Sequence, residues 1–546
     1  MLRNTHIALV SLGLLLGTTG CDSFLTGNKL STDPNNPAEE TIQRLIVGMQ
    51  GEQLAVQEGT VAMMVCMWVQ QCGATNGRFV EQAGRYVYGA GSNIGANGAD
   101  WALIYAAGGL IDMDTIASIA RVVKDDTYLG IDLVWKAFTV GSAADLWGSI
   151  PYSEIRTSAT PKLDSQLVVY DTVQGMLSRA ILALQSGVTA LAPPPDLVFG
   201  GTAVQRRASW IATANTLKAR YWLHVVEAAT EGKLPGLTQA AVFDSALKYA
   251  GLGIGDPTGA GDFRAFHSGT SYPQSNMWFA FQDNSAFGGD LESGKALVDY
   301  MNRRGDPRRS DYLCPFSSDA WTKTTAYAVG DQIGDPNGNL EEVTTAGTSG
   351  VPEPTWPTAS GATTTDGTVT WTNKGFNYAG DDFNVAPSAV TAFDCEPLRF
   401  SGDFRVPFAT YQETQLILAE ANLARGNTAA AQANLQNAYN AVPLTGHTAS
   451  AIPAAELLDS IMMEKYVVNF QNNEVLSDYR RTCIPNLTPI TPNVLGIAAV
   501  PGELFYPQTE RNANANIPAE SQEVNAGVRT QSDVSPCTGP GAKSYP

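Results

Sequence analysis

Basic charge is scarce in this 546-residue chain: 34 lysines and arginines stand against 53 aspartates and glutamates, a net charge of -19. Nucleic-acid binding needs a basic face that releases phosphate counterions, so the balance argues against that class and against an electrostatic hold on anionic lipid. Charged residues of either sign are 16% of the chain, and such a surface suits a neutral ligand or a protein partner. Histidine is scarcer still. Beyond the first residues only His224, His267 and His447 remain, far apart and without metal-ligand spacing. There is no C-x-x-C pair, no G-x-S-x-G elbow and no phosphate-cradling glycine loop. Asp335, Asn337 and Asn339 imitate the start of a calcium loop, but Leu340 stands at the required glycine and Ala346 at the terminal glutamate, so the segment reads as a hairpin turn. The motifs therefore point to no catalytic residue, no metal ligand and no cofactor. Carboxylate pairs for glycoside hydrolysis stay open, because their spacing is spatial.

A long apolar run is also missing. The stretch from Ile7 to Leu16 is too short for a membrane-spanning helix, which takes about 20 apolar residues. With Arg3 before it and Thr18-Thr19-Gly20-Cys21 after it, it has the three parts of an export signal. A cysteine directly after small residues is where a bacterial lipoprotein is cleaved and lipidated, although Thr18 stands where leucine is commonest. On this reading residues 1–20 are a signal peptide, Cys21 carries the lipid and residues 21–40 form a tether. An ordinary secretory signal with a chance cysteine is the other reading. Setting Cys21 aside leaves an even six cysteines, which an oxidising compartment pairs. Six allow 15 connectivities. Proximity favours Cys66 with Cys72, Cys314 with Cys395, and Cys483 with Cys537.

From Thr41 apolar residues recur at three- and four-residue steps (Ile42, Leu45, Ile46, Met49), which predicts helix. Further helical stretches fall near 101–120, 128–146, 167–191 and 207–229. In the last, Trp210, Ala214, Leu217, Tyr221 and His224 form one stripe, which reads as core. Segments 408–425 and 428–441, parted by Arg425-Gly426-Asn427, form a helix hairpin whose alanines allow close approach. Another helix is predicted over 454–471, and the chain from 484 onward reads as mostly irregular. Residues 317–378 differ: helical periodicity stops, and β-prone runs such as Thr368–Thr372 alternate with turn signals such as Asp335-Pro336-Asn337-Gly338 and Asp366-Gly367. This is a small all-β module set into a mainly α host of 41–316 and 380–546, whose helix pairs resemble tetratricopeptide units between long irregular loops. A Cys314–Cys395 bridge would clamp the base of the insertion and remove roughly 4–5 kcal/mol of chain entropy.

Several segments together resemble the SusD/RagB family of outer-membrane lipoproteins. Ile461-Met462-Met463-Glu464-Lys465-Tyr466 with Asp478-Tyr479-Arg480-Arg481-Thr482 is similar to its C-terminal signature, and Asp145-Leu146-Trp147-Gly148-Ser149-Ile150-Pro151-Tyr152 to its helix-to-loop motif. Trp210–Leu223 and Tyr411–Ala421 resemble its repeat helices, and Tyr506-Pro507 with Glu510 and Asn512 its closing segment. Tyr466, Asn472 and Asn473 depart from the better-known branch, so binding residues do not transfer from starch-binding members. The resemblance implies a cell-surface outer-membrane lipoprotein, held at the membrane by its lipid alone. It would capture oligosaccharides or other small nutrients for a TonB-dependent transporter, without catalysis. An extracytoplasmic glycoside hydrolase carrying a carbohydrate-binding module is the alternative. The insertion, with Ala326-Tyr327-Ala328-Val329-Gly330-Asp331, Glu353-Pro354-Thr355-Trp356-Pro357 and Asp366–Trp371, resembles chitin-binding-type (family 5/12) carbohydrate-binding modules, which also serve as structural decoration.

Sugar rings are held on flat aromatic faces flanked by amide and guanidinium donors. The loop before Trp101 has that composition in Asn76, Arg78, Phe79, Arg85, Tyr86, Tyr88 and Asn93. A second candidate group is Tyr272, Trp278, Phe281 and Gln282, and the insertion offers Trp321, Tyr327, Trp356 and Trp371. Trp101 and Trp371 match patterned elements and read as core. For Tyr86 and Trp278 a core ring and a ligand-facing ring are both open. Arg480 and Arg481 follow a helix and read as bridges to acidic neighbours.

Overall fold

A computed structural model describes residues 40–75, 83–86, 99–106, 108–284, 288–385, 390–442, 444, 446–491, 498–519, 522, 530–533 and 536–538. The signal segment, Cys21 and the tether before Glu40 lie outside the described residues.

Several helices begin where a capping side chain meets an apolar stripe. Thr41 accepts a hydrogen bond from the Arg44 amide and starts α1 (Ile42–Glu58), which passes through Gly59 into α2 (Thr60–Trp68). The stretch expected near 101–120 is two helices, α3 (Ala99–Tyr105) and α4 (Leu110–Val123). Asp125 then caps α5 (Asp126–Trp147), accepting from the amides of Thr127 and Tyr128. α5 is buried almost all round and forms the axis of the core, with α6 (Gln166–Ser186) and α7 (Ala203–Leu223) against it. Gly141 makes the α5–α7 contact possible: a Cβ there would sit 2.2 Å from the Tyr221 hydroxyl oxygen. A reciprocal Thr202–Gln205 capping box starts α7, and the stripe from Trp210 to His224 is fully buried, as its spacing predicts.

α8 (Gln239–Ala250), not foreseen from the sequence, packs on α7. The short α9 (Met277–Gln282) and α10 (Lys295–Arg303) precede the insertion. After it, α11 (Tyr411–Ala424) and α12 (Thr428–Asn440) form the expected hairpin, with Gly426 at φ +78° supplying the left-handed stop. Ala419, Ala431 and Ala438 are fully buried between them. α13 (Leu457–Val468) and α14 (Glu474–Thr482) complete the host. Arg480 and Arg481 lie in the last turn of α14 rather than after a helix, because the helix runs to Thr482.

Buried charge ties these helices together. Lys465 Nζ sits 2.9 Å from Glu420 and 3.0 Å from Asp478, and Arg481 donates to Glu420 at 2.9 Å. Glu464 accepts from Arg304 at 2.7 Å and Arg308 at 2.8 Å, and Arg480 Nε donates to Asp533 at 2.7 Å. The arginine pair therefore bridges acids, as expected. Three disulfides, Cys66–Cys72, Cys314–Cys395 and Cys483–Cys537, follow the pairing that proximity favours.

Two short strands, β1 (Cys72–Ala74) and β2 (Leu291–Ser293), pair antiparallel in the host. The insertion contributes β3 (Ala326–Tyr327), β4 (Gln332–Gly334), β5 (Asn339–Thr345), β6 (Gly347–Thr348), β7 (Thr363–Asp366) and β8 (Val369–Phe376). Four of them make an antiparallel sheet in the order β7-β8-β5-β4, and β3 pairs with β6. Asp335–Gly338 is the β4–β5 turn, where Asp335 accepts the Asn339 amide at 2.6 Å. Ile333, Val343, Trp356, Val369 and Trp371 form a core separate from that of the host. At the neck, Asn377 accepts from the Ser317 amide at 3.0 Å and donates to the Ser317 carbonyl at 2.8 Å. With its own core and a cinched neck, the insertion is expected to be dispensable. Deleting residues 317–378 should leave far-UV helicity unchanged and move the host Tm by less than about 5 °C, and a collapse of helicity would refute this.

Candidate functional site

The Cys66–Cys72 bridge folds the end of α2 back into β1, and β1 pairs Cys72 with Ser293 and Ala74 with Leu291. Just beyond β1, the Thr75 amide donates to Asp290 O at 3.1 Å and its hydroxyl to Gly289 O at 2.7 Å. Thr75, the last described residue before the 76–98 loop, therefore adjoins Gly289 and Asp290 at the start of β2. Asn76, Arg78, Phe79, Tyr88 and Asn93 lie outside the described residues. Arg85 is half-buried in a 3-10 turn, Ala83–Arg85, whose Gly84 abuts the Phe383 ring.

Tyr86 and Trp278 are corrected to core rings. Tyr86 is wholly buried, edge-on to Trp68 at 6.2 Å, and its oxygen accepts the Ile490 amide at 2.8 Å. Burial pushes its phenol pKa upward. Trp278 is equally buried, edge-on to Phe400 at 5.8 Å. Tyr272, by contrast, is 48% exposed, and its hydroxyl donates to Ala280 O at 2.6 Å, which fixes the ring on the surface. Phe281 is half-buried, and Gln282 donates to Leu291 O at 3.3 Å, tying α9 to β2.

In the insertion, Trp356 and Trp371 are buried and packed edge-on at 5.7 Å, so Trp356 is also corrected to a core ring. Trp321 and Tyr327 keep partial exposure. Trp321 Nε1 donates to Asp366 at 2.7 Å, and the Tyr327 ring stands 4.8 Å from Trp371. Trp101 is buried as well, donating to Glu510 at 3.3 Å.

Sequence reasoning passed over two clefts flanking α10. One, of about 420 Å³, is polar and includes Gln70, Tyr300, Arg303, Asn384 and Asn486. The other, of about 390 Å³, lies where the neck of the insertion meets α10 and carries Phe316, Phe376 and Tyr378. Behind them Glu292 and Asp381 crowd each other. Burial first, then the Asp381 charge, raises Glu292 to about 7, and burial with Asp382 raises Asp381. No spacing rule joins these residues, because the insertion separates Asp299 from Asp381.

Asp145, His224 and Glu474 are close enough to suggest a metal site. The geometry argues otherwise. His224 Nδ1 lies 2.8 Å from Asp145 and Nε2 lies 2.9 Å from Glu474, so the carboxylates face opposite edges of one imidazole and cannot share an ion with it. Burial opposes charge on this ring, yet the two carboxylates outweigh it and lift its pKa to about 10. The arrangement is a buried imidazolium bridge.

A family model described as starch-binding and associating with the outer membrane matches residues 34–507. The chain belongs to this SusD-like family. Its mainly α architecture with tetratricopeptide-like helix pairs is that of solved SusD homologues. A chitin-binding SusD homologue from Flavobacterium johnsoniae is 16% identical with a TM-score of 0.62, the match covering 90% of this chain and 98% of that one. A protein described as chitin-binding is 18% identical with a TM-score of 0.61, over 90% of this chain and 100% of the other. A SusD-like protein from Bacteroides thetaiotaomicron is 16% identical with a TM-score of 0.62, over 91% and 99%. No curated protein matches the chain.

Proposed function

We propose that this SusD-like protein is a glycan-capturing lipoprotein of the outer membrane, anchored through Cys21, that hands its ligand unchanged to a TonB-dependent transporter. The observation that supports the reading is the Tyr272 ring, exposed on the surface of a chain of the SusD-like family and fixed there by its bond to Ala280 O. Arg85 offers a guanidinium, and in the insertion Trp321 and Tyr327 are the rings left for sugar contact. Aromatic faces beside amides and guanidinium groups are the chemistry of neutral sugar recognition. The chitin-binding names of two solved relatives put chitin oligomers on the test panel.

Calorimetry of the purified protein against a glycan panel should give heat for at least one oligosaccharide and no new reducing ends. Tyr272→Ala should weaken that binding about 10-fold, the loss of about 1.4 kcal/mol. Heat from none of the panel would overturn the reading. One observation favours the hydrolytic alternative: a carboxyl raised to about 7 beside a second carboxyl, Glu292 with Asp381, has the acid–base pattern of glycosidases. Release of reducing ends, abolished by Glu292→Gln, would establish it instead.

A further inference from the structure

The neck of the insertion builds a cleft that the rest of the host does not supply. Phe316 leads into the module and Phe376 ends its last strand. The Phe316 amide donates to Asn377 O at 2.9 Å, which sets the two neck segments side by side. Phe316 is 37% and Phe376 47% exposed, unusual for two rings in one cleft, and Tyr378 stands half-buried beyond them with the Arg309 guanidinium 5.3 Å from its ring centre. The opposite wall is α10 with the 380–382 segment. That segment is pressed home because Gly380 has no side chain: a Cβ there would lie 2.5 Å from Lys295 Cα. The Asp381 amide donates to Ser293 O at 2.7 Å and its carbonyl accepts from the Lys295 amide at 2.8 Å, so the backbone of this segment is held in place, with Asp381 and Asp382 among the residues lining the cleft.

Acidic groups outnumber basic ones in the lining of this cleft, Asp299, Asp381 and Asp382 against Lys295 and Lys374. Its two lysines are committed, Lys295 to Asp299 and Lys374 to Glu342 at 3.1 Å. Asp381 and Asp382 form no ion pair among the described residues. Asp382 accepts the Asn384 amide at 3.0 Å, and Asp381 accepts the Ala74 amide at 3.4 Å. We propose that this cleft is a second glycan subsite, selective for sugars bearing a free amine, with Phe316 and Phe376 as the ring platform and Asp381 and Asp382 as the ammonium receptors. It rests on the glycan-capture reading for its biological setting, while its contact residues differ from Tyr272. Apolar sugar faces pack on aromatic rings, and an ammonium beside two carboxylates gains charge-assisted hydrogen bonds. Crowding of negative charge supports the assignment beside this geometry, since burial and then the Asp382 charge raise Asp381, burial and then the Asp381 charge raise Glu292, and a bound cation relieves that repulsion.

The test is calorimetry of the purified protein with a β-1,4-linked glucosamine tetramer, its fully N-acetylated counterpart and tetralysine. The glucosamine tetramer is expected to bind at least about 10-fold tighter than either comparator. Phe376→Ala and Asp382→Asn should each weaken it about 5- to 10-fold. Phe316→Ala serves as the second ring variant should Phe376→Ala disturb the end of β8. Equal affinity for the N-acetylated tetramer, tetralysine binding as tightly as the sugar, or indifference to the cleft variants would each overturn the subsite. If Tyr272→Ala weakens neutral glycans while the cleft variants change nothing, glycan capture stands and the subsite falls. If the cleft variants abolish glucosamine binding and no neutral glycan binds, the subsite stands and the broader reading falls.

Discussion

Glu464→Ala is expected to destabilise the protein by about 3–5 kcal/mol, read as a lower urea midpoint with an unchanged m-value. Glu464 is wholly buried on α13 and accepts from Arg304 at 2.7 Å and Arg308 at 2.8 Å, both arginines being nearly buried themselves. Burial alone would raise its pKa, but the two guanidinium groups reverse the effect and hold the carboxyl below its ordinary range. Removing it leaves two buried cations with Asp306 as the remaining ion-pair partner among the described residues, at 2.7 Å from Arg308 and 3.6 Å from Arg304. The cost comes from that uncompensated charge, since a buried pair replaced whole is often near neutral. Glu464→Gln keeps the shape and one acceptor and should cost less than Glu464→Ala. Equal stability of wild type and Glu464→Ala would show that the arginines reach water or another acid.

The same cluster shows what the sequence carries and where it stops. The Ile461–Tyr466 and Asp478–Thr482 segments mark the family, and their charges prove to be structural: Lys465 meets Asp478 at 3.0 Å, and both Lys465 and Arg481 meet Glu420. Helix placement was legible because stops and apolar spacing are local, as at Gly426 and in the Ile42–Met49 stripe. The insertion was legible because Asp335–Gly338 and Asp366-Gly367 are turns by their own chemistry. Ring orientation was not. Tyr86 is buried by Trp68 and by Ile490, more than 400 residues away, and Trp278 by Phe400 and Phe470. Trp356 turns inward against Trp371 although its neighbours Glu353 and Thr355 are exposed. Composition names the residues able to hold a sugar, whereas the fold decides which of their faces meet solvent. The cleft at the neck was invisible for the same reason: Phe316 and Phe376 bracket a 60-residue excursion and meet only once Asn377 pairs with Ser317.

Stability is expected to fall on the order of 4 kcal/mol between pH 6.5 and 10 through His224 alone, since each tenfold change in proton affinity on folding is worth about 1.4 kcal/mol. The folded pKa of about 10 exceeds the ordinary 6.5, so folding takes up a proton. The stabilisation is complete below pH 6.5, declines above it and is gone once pH passes about 10. Lys218 works in the opposite sense: burial, with Lys248 adding, pushes it down to about 8, so its contribution improves as pH rises from there. The measurement is therefore the difference between wild type and His224→Gln in urea midpoints at pH 6.5, 8 and 9.5. His224→Gln should be markedly less stable at pH 6.5 and converge on wild type by pH 9.5, whereas parallel profiles would show that the ring is neutral when folded. The effect is large because of what the ring joins. Asp145 closes α5 at the helix-to-loop motif, His224 ends α7 and Glu474 opens α14, while Arg480 donates to Asp145 O at 2.6 Å and Arg220 reaches Glu413 and Glu474. Segments more than 300 residues apart, each carrying part of the family pattern, are fastened through one proton on one imidazole. Losing that proton leaves Asp145 and Glu474 as buried anions facing a neutral ring, which places the weak point of this fold at alkaline pH.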